Sequence, residues 1–148
     1  MTSQGPTLTL SISRVLAATP EQVFRAFTDP RWHAQWWGPE GSQSEVAQMD
    51  LRVGGAYRID MRLPDGTVAT MFGRYLEIDP PRLLSYSWQW EGEGVETRVT
   101  LEIEPHEDGA ELTVTHEGFK DEQRVEMHEH GWGGSLDRLE RLLPGLTK

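Results

Sequence analysis

The C-terminal segment, from about Asp121 to Leu143, is the feature that most restricts what this chain can fold into. Inward-facing residues recur there at intervals of four, four, three and four, and they form a single stripe of His128, Trp132, Leu136, Leu139 and Leu143. This spacing places them on one face of a long α-helix. Because such a face must be buried against a partner, the rest of the chain has to supply a matching apolar surface.

The segment from Ser44 to Gly118 supplies that surface, because its residues alternate between apolar and polar as they do in half-buried strands. One run alternates apolar side chains with charged ones that we expect to face outward, namely Arg58, Asp60 and Arg62. A later run has one apolar face, made of Leu84, Tyr86, Trp88 and Trp90. The pattern predicts a continuous antiparallel meander of about six strands, with the long helix covering one face.

The segment before the meander predicts one more strand and two short helices. Residues 7–17 alternate as a strand does, and Thr19, Pro20 and Gln22 then form the signature of a helix start that would run to about Thr28. Asp29-Pro30 repeats this signature, so a second short helix is expected until Gly38-Pro39 ends it. The chain is therefore predicted to be α+β, with a disordered start over residues 1–6 and a single domain over residues 7–145.

Charge and composition exclude several classes of partner. Asp plus Glu number 24 against 14 Lys plus Arg, and the net charge of -10 repels nucleic acid and anionic membrane surfaces. There is no cysteine, which excludes disulfides, thiolate metal sites and a cysteine nucleophile. No signal peptide and no membrane-spanning stretch can be recognised, so a cytoplasmic location is expected.

Motifs for metal and nucleotide binding are missing from the sequence. His128 and His130 are two residues apart on the predicted helix, which separates them by about 200° around its axis, and HEHGW lacks the second histidine of a zinc-protease motif. No nucleophile elbow, dinucleotide fingerprint or phosphate-binding loop is found. We therefore expect neither a metal nor a cofactor.

Two features of the long helix and the sheet each have a structural and a functional interpretation. Gly131, Gly133 and Gly134 lie inside the helix, where they can allow close packing or can thin the wall of a cavity. His116 and His128 fall on the inward faces of their elements. Such histidines can be hydrogen bonded within the core, or they can orient a ligand in a cavity.

The order of elements resembles the helix-grip architecture of the START-like, or Bet v 1-like, superfamily. Several motifs resemble the family of homologues of the heat-shock protein 90 ATPase activator: WWGPEG at 36–41, GGAYRIDMR at 54–62, GRYLEIDPPRLLSYSW at 73–88, LTVTHEGF at 112–119 and HEHGWGGSLDRLERL at 128–142. The resemblance covers about residues 8–143. It implies a curved antiparallel sheet of about six to seven strands wrapped around the long C-terminal helix, with two short helices after the first strand and an internal cavity for apolar molecules. The eukaryotic activators carry a further N-terminal domain that these 148 residues do not contain, so a chaperone partner is not the expected role.

The first hypothesis for the function is binding of a small, largely apolar, aromatic or lipid-like molecule between the sheet and the long helix. The residues expected to line this cavity are Trp36, Tyr57, Met61, Met71, Tyr86, Trp88, His116, His128 and Trp132. On a helix through WHAQWW, Trp32 and Trp36 share a face, whereas Trp37 is turned about 100° away and is expected at an edge.

Two alternatives remain open at this point. The same cavity can belong to an enzyme of the cyclase or hydrolase kind, with His116 or His128 as the general acid or base. The chain can also be an interaction module that uses an exposed apolar patch around residues 32–39. A homodimer is compatible with this type of fold.

Overall fold

A computed structural model of the chain describes residues 8–146, and it contains seven strands and three helices. In chain order these are β1 (Leu8–Leu16), α1 (Pro20–Thr28), α2 (Pro30–Trp36), β2 (Gln43–Met49), β3 (Ala56–Arg62), β4 (Val68–Asp79), β5 (Leu83–Trp90), β6 (Glu96–His106), β7 (Gly109–Phe119) and α3 (Glu122–Leu146). The predicted disordered start at 1–6 and the first residue of the predicted strand, Thr7, lie outside the described residues. The predicted α+β fold is confirmed.

All seven strands form one antiparallel sheet in the order β1-β7-β6-β5-β4-β3-β2. Strands β2 to β7 are the predicted six-stranded meander, since each pairs with the next one along the chain. Strand β1 then pairs with β7, from Leu10 opposite His116 to Leu16 opposite Ala110. Irregularities in the β1–β7, β2–β3 and β4–β5 pairings bend the strands, and the sheet is curved and open. This is the helix-grip arrangement.

The two faces of the strands follow the predicted alternation in β3 but not in β5. In β3, Tyr57, Ile59 and Met61 are buried, and the charged residues between them face outward as predicted. In β5, however, Ser85 and Ser87 are also buried. The reason is a set of neighbours that bond them: the Ser85 hydroxyl donates to the Val99 carbonyl and accepts from Arg98 Nε, and the Ser87 hydroxyl accepts from the Arg74 backbone N–H.

The two short helices begin as the sequence predicts. Thr19 and Gln22 form a reciprocal capping box, in which each side chain accepts a hydrogen bond from the backbone N–H of the other residue at 2.9–3.1 Å. Asp29 caps α2 by accepting from the Arg31 backbone N–H at 2.9 Å. Helix α2 ends at Trp36, and the next residue, Trp37, already has extended backbone angles of φ -68° and ψ 137°.

Helix α3 lies across the concave side of the sheet and packs against β1, β7 and both short helices. Its C-terminal half buries Leu136, Leu139 and Leu143 completely, so this end of the fold is a solid core. Arg14 of β1 forms an ion pair with Asp137 of α3 at 2.7 Å, which joins the edge strand to the helix. The N-terminal half of α3 borders a cavity instead.

Candidate functional site

The cavity has a volume of about 540 Å³ and lies between the N-terminal half of α3 and strands β3, β4 and β5. This volume falls within the range of about 300–1,000 Å³ that is typical of pockets for small organic ligands. The lining consists of Trp37, Gly38, Pro39, Met61, Leu63, Val68, Ala69, Thr70, Trp88, Trp90, Glu91, Glu93, Met127, His128, Gly131, Trp132 and Ser135. Val68 and Met127 are 51% and 60% exposed, so the cavity reaches the protein surface between β4 and α3.

Four of the six tryptophans of the chain, which we call the indole wall, line this cavity: Trp37, Trp88, Trp90 and Trp132. In the four contacting pairs of these rings, the ring centroids lie 5.1–5.7 Å apart in tilted or edge-on arrangements. These distances and angles are the ones that aromatic rings prefer, because a ring edge is positive and a ring face is negative. The rings come from the end of α2, from β5 and from α3, so only the folded chain brings them together.

Trp37 reaches the indole wall through a corner that is fastened to α3. The Gly38 backbone N–H donates to the Ser135 hydroxyl at 3.0 Å. The Arg138 guanidinium lies 3.0–3.2 Å from the carbonyl oxygens of Trp37, Gly38 and Pro39, and donates to them. The carbonyls of Trp37 and Pro39 also accept from the hydroxyls of Ser44 and Ser42, so Arg138 and these two serines together satisfy the end of the helix and fix the direction of the chain.

The expectation that Trp36 lines the cavity is not met, and Trp37 takes that place. Trp36 is fully buried behind the indole wall, where its Nε1 donates to the Ala26 carbonyl at 3.0 Å. That carbonyl needs a donor from outside α1, because the residue four positions further on is Pro30, which has no N–H. The helical spacing used to place the rings stops at Trp36, so it gave the wrong direction for Trp37.

The other eight predicted residues are divided among the cavity, a second pocket and the core. Met61, Trp88, His128 and Trp132 lie on the cavity lining. Tyr57, Met71 and Tyr86 surround a separate pocket of about 10 Å³ further along the sheet, together with Phe27, His33, Met49, Ile59 and Tyr75. That space is about the size of one water molecule. His116 lies beneath the indole wall and is fully buried.

His116 is the centre of a chain of hydrogen bonds. Trp132 Nε1 donates to His116 Nδ1 at 3.1 Å, so the proton of the neutral ring is on Nε2, and it is donated to the Thr97 hydroxyl at 2.7 Å. The hydroxyl in turn donates to the Trp88 carbonyl at 3.1 Å. Burial, with a smaller contribution from His128, lowers the pKa of His116 to about 3. The ring is therefore neutral and holds one member of the indole wall in position.

His128 has the opposite tautomer and is also fully bonded. Its Nε2 accepts from Trp90 Nε1 at 2.9 Å, so Nδ1 carries the proton and donates it to the Arg124 carbonyl at 2.7 Å. Burial is the main cause that lowers the pKa of this ring below its usual value. Both nitrogens of both histidines are thus occupied by protein groups, which agrees with the structural interpretation of these residues.

The charged groups of the lining are two carboxylates at the mouth of the cavity. Glu91 and Glu93 follow Trp90 in the loop after β5, and they form ion pairs with Arg58 and Arg124, each at 3.0 Å. Among the described residues that line the cavity, none is Lys or Arg. No sequence signal points to these two glutamates, because the alternation of β5 ends at Trp90 and gives no direction for the loop.

The glycines of α3 fall on different sides of the helix. A Cβ atom on Gly131, which lines the cavity, or on Gly133, which does not, would meet no atom within 4 Å. On Gly134 it would lie 3.7 Å from Pro39 Cα, which is ordinary contact with the corner after α2. Gly131 therefore leaves space in the cavity, and Gly134 faces the packed corner.

Within residues 8–146, no three His, Cys, Asp or Glu side chains come together as a metal site would require. None of the helices in this range has the length and hydropathy needed to cross a membrane.

Comparisons with known proteins identify relatives that share both sequence and fold. A protein from Chromobacterium violaceum, CV1439, has 36% sequence identity and a TM-score of 0.85, over 91% of this chain and 96% of that one. The AHSA1 protein from Silicibacter pomeroyi has 30% identity and a TM-score of 0.83, over 93% and 98% of the two chains. Among curated proteins, none matches the sequence.

The match to a family covers most of the chain. Residues 17–144 fit the sequence model of the family described as Activator of Hsp90 ATPase homolog 1-like protein. This range contains both short helices, the whole meander and nearly all of α3. The chain therefore belongs to the family of Activator of Hsp90 ATPase homolog 1-like proteins.

Proposed function

We propose that this protein binds a small, largely apolar, aromatic molecule in the cavity between α3 and strands β3 to β5. The observation that carries the proposal is the indole wall beside a space of about 540 Å³ that reaches the surface. Proteins of this family typically bind hydrophobic ligands, which supports the same reading. No particular ligand follows from the family.

Binding rests on apolar burial and ring stacking. Each 100 Å² of apolar ligand surface that leaves water contributes about 2.5 kcal/mol, and stacking on an indole adds about 0.5–1.5 kcal/mol. The four rings are already connected by ring contacts, and Trp88 also packs against His116 and His128. Because these contacts exist before a ligand arrives, little side-chain ordering opposes binding.

The hydrogen bonds of the two histidines favour binding over catalysis. A general base needs a nitrogen that can take a proton from the ligand. In His116 that position accepts from Trp132, and in His128 it accepts from Trp90. A reaction through either ring would first have to break one of these bonds, and burial lowers the pKa of both rings.

A titration with a neutral fluorescent naphthyl ketone, 6-propionyl-2-dimethylaminonaphthalene, tests this proposal. We expect saturable binding to the native protein, with energy transfer from the indole wall to the probe. The Gly131→Phe variant fills the cavity with a ring and abolishes binding. The Gly133→Phe variant adds the same ring to the same helix away from the cavity lining, and is expected to bind as the native protein does. No saturable binding to the native protein, or equal binding by both variants, would refute the proposal.

A further inference from the structure

We infer that the cavity selects organic cations, meaning apolar or aromatic molecules with an ammonium group, over anions of the same shape. This inference rests on the proposed function, because it names the ligand class of the same cavity. Three properties of the lining lead to it: the carboxylates at the mouth, the lack of a counter-charge for an anion, and the faces of the indole wall.

The first property is the position of Glu91 and Glu93. Both belong to the loop that continues directly from Trp90, and both line the cavity where it meets solvent. Each uses one carboxylate oxygen for its arginine, Glu91 Oε2 for Arg58 and Glu93 Oε1 for Arg124. The side chains in these pairs are 38–58% exposed, and such pairs contribute little and are easily rearranged. The second oxygen of each carboxylate has no hydrogen bond to the described residues, so it can face a ligand.

The second property is that an anion would find no cationic partner in the cavity lining, since Arg58 and Arg124 lie outside it and are paired with the two glutamates. The lining contains no Lys or Arg among the described residues, and both histidines beside it are neutral. The N–H groups of Trp90 and Trp132 are used by the histidines. Those of Trp37 and Trp88 are buried from solvent, without a hydrogen-bond partner among the described residues. A buried anion without a donor or counter-charge is strongly disfavoured.

The third property is the chemistry of the indole faces. A cation over an aromatic face is attracted by the ring quadrupole, and Trp provides the strongest attraction of the aromatic residues. Trp90 is only half-buried and is adjacent in sequence to Glu91, so an aromatic face and a carboxylate lie together at the mouth. Rings with nearby carboxylates can desolvate an ammonium group and still compensate its charge.

Three ligands of nearly the same shape test the inference: (2-naphthylmethyl)trimethylammonium, its uncharged carbon isostere 2-neopentylnaphthalene, and 2-naphthylmethanesulfonate. Each displaces the naphthyl ketone from the native protein in a competition titration. We expect the ammonium compound to bind about tenfold tighter than the sulfonate, which corresponds to about 1.4 kcal/mol. The isostere is expected to fall between them, and high ionic strength to reduce the difference.

A pair of double variants tests whether the two carboxylates at the mouth cause the preference for the ammonium compound. In Glu91→Gln/Glu93→Gln the preference for the ammonium compound over the sulfonate is expected to fall to about twofold or less. The control, Glu126→Gln/Glu129→Gln, makes the same change in net charge at exposed positions of α3 outside the cavity lining, and it is expected to keep the native preference.

The outcomes separate this inference from the proposed function. If the isostere binds but the sulfonate binds as tightly as the ammonium compound, the selectivity for cations is refuted and the binding function stands. If both double variants lose the preference equally, its assignment to Glu91 and Glu93 is refuted. If the ketone binds but none of the three compounds displaces it, the selectivity for cations is refuted and the binding function stands. If the ketone itself shows no saturable binding, both proposals fail.

Discussion

Lowering the pH from 7 to 5 is expected to destabilise this protein through two histidines that the fold keeps neutral. Burial lowers the pKa of His33 to about 3, and burial together with His128 lowers that of His116 to about 3. In the unfolded chain both rings return to the ordinary value of 6.5. Between these two values the unfolded chain takes up protons that the folded protein does not, so stability falls as the pH falls and is constant above about pH 7.

The magnitude follows from the difference in proton binding. For each ring, the free energy of unfolding decreases by about 1.9 kcal/mol between pH 7 and pH 5, or about 4 kcal/mol for both. His128, whose pKa is also lowered, acts in the same direction. Asp29 and Asp65 have pKa values below 3.8, so they lose their contributions only at lower pH. A loss of about 4 kcal/mol is a large part of the stability of a typical domain.

Urea unfolding followed by tryptophan fluorescence at pH 7, 6 and 5 measures this loss. His116→Gln is expected to remove about half of it, and His130→Gln, which changes an exposed histidine of α3, is the control. NMR titration of the native protein provides a second readout, in which the His116 ring takes up no proton above pH 5. A decrease in stability of less than about 1 kcal/mol, or protonation of His116 near pH 6.5, would refute the reasoning.

Three substitutions test hydrogen bonds and close contacts on which the fold around the cavity depends. Trp36→Phe removes the donor to the Ala26 carbonyl and is expected to cost about 1–3 kcal/mol in urea unfolding, with no change in ketone affinity because the ring lies outside the cavity lining. Arg138→Met removes the donors that hold the corner after α2, and is expected to lower both stability and ketone affinity; unchanged affinity would contradict the role given to this corner. Gly73→Ala would place a Cβ atom 2.0 Å from the Ser87 carbonyl oxygen of the neighbouring strand, and a loss of about 1–3 kcal/mol is expected from unfolding curves.

The architecture was predictable because its periodicities are long and uninterrupted. The stripe on α3 and the alternation in β3 extend over enough residues to distinguish a helix from a strand. The cap signatures at Thr19 and Asp29 are local and were also readable. Ser85 and Ser87 could not be placed in the same way, because their burial depends on Arg98 and Arg74.

The sequence alternation predicts which face of the sheet carries the site. It does not predict which part of that face borders the cavity. Alternation placed Tyr86 and Trp88 on the same side of β5, yet they line different pockets. Helix α3 covers the pocket at Trp88, whereas Phe27 and His33 of the two short helices line the pocket at Tyr86. Trp37 was misplaced because its direction depends on the residue at which α2 ends. Helix ends carry an uncertainty of one or two residues when they are read from sequence.

The two halves of α3 have different roles, so substitutions in them are expected to have different effects. Leu136, Leu139 and Leu143 hold the helix to the sheet, whereas Met127 and Gly131 border open space and carry little of the packing. Substitutions at the open end can therefore alter the shape and polarity of the cavity while the solid end keeps the fold intact. A chain built in this way can acquire a new ligand through a few changes in one and a half turns of a single helix, which makes residues 127–131 the natural starting point for redesigning its specificity.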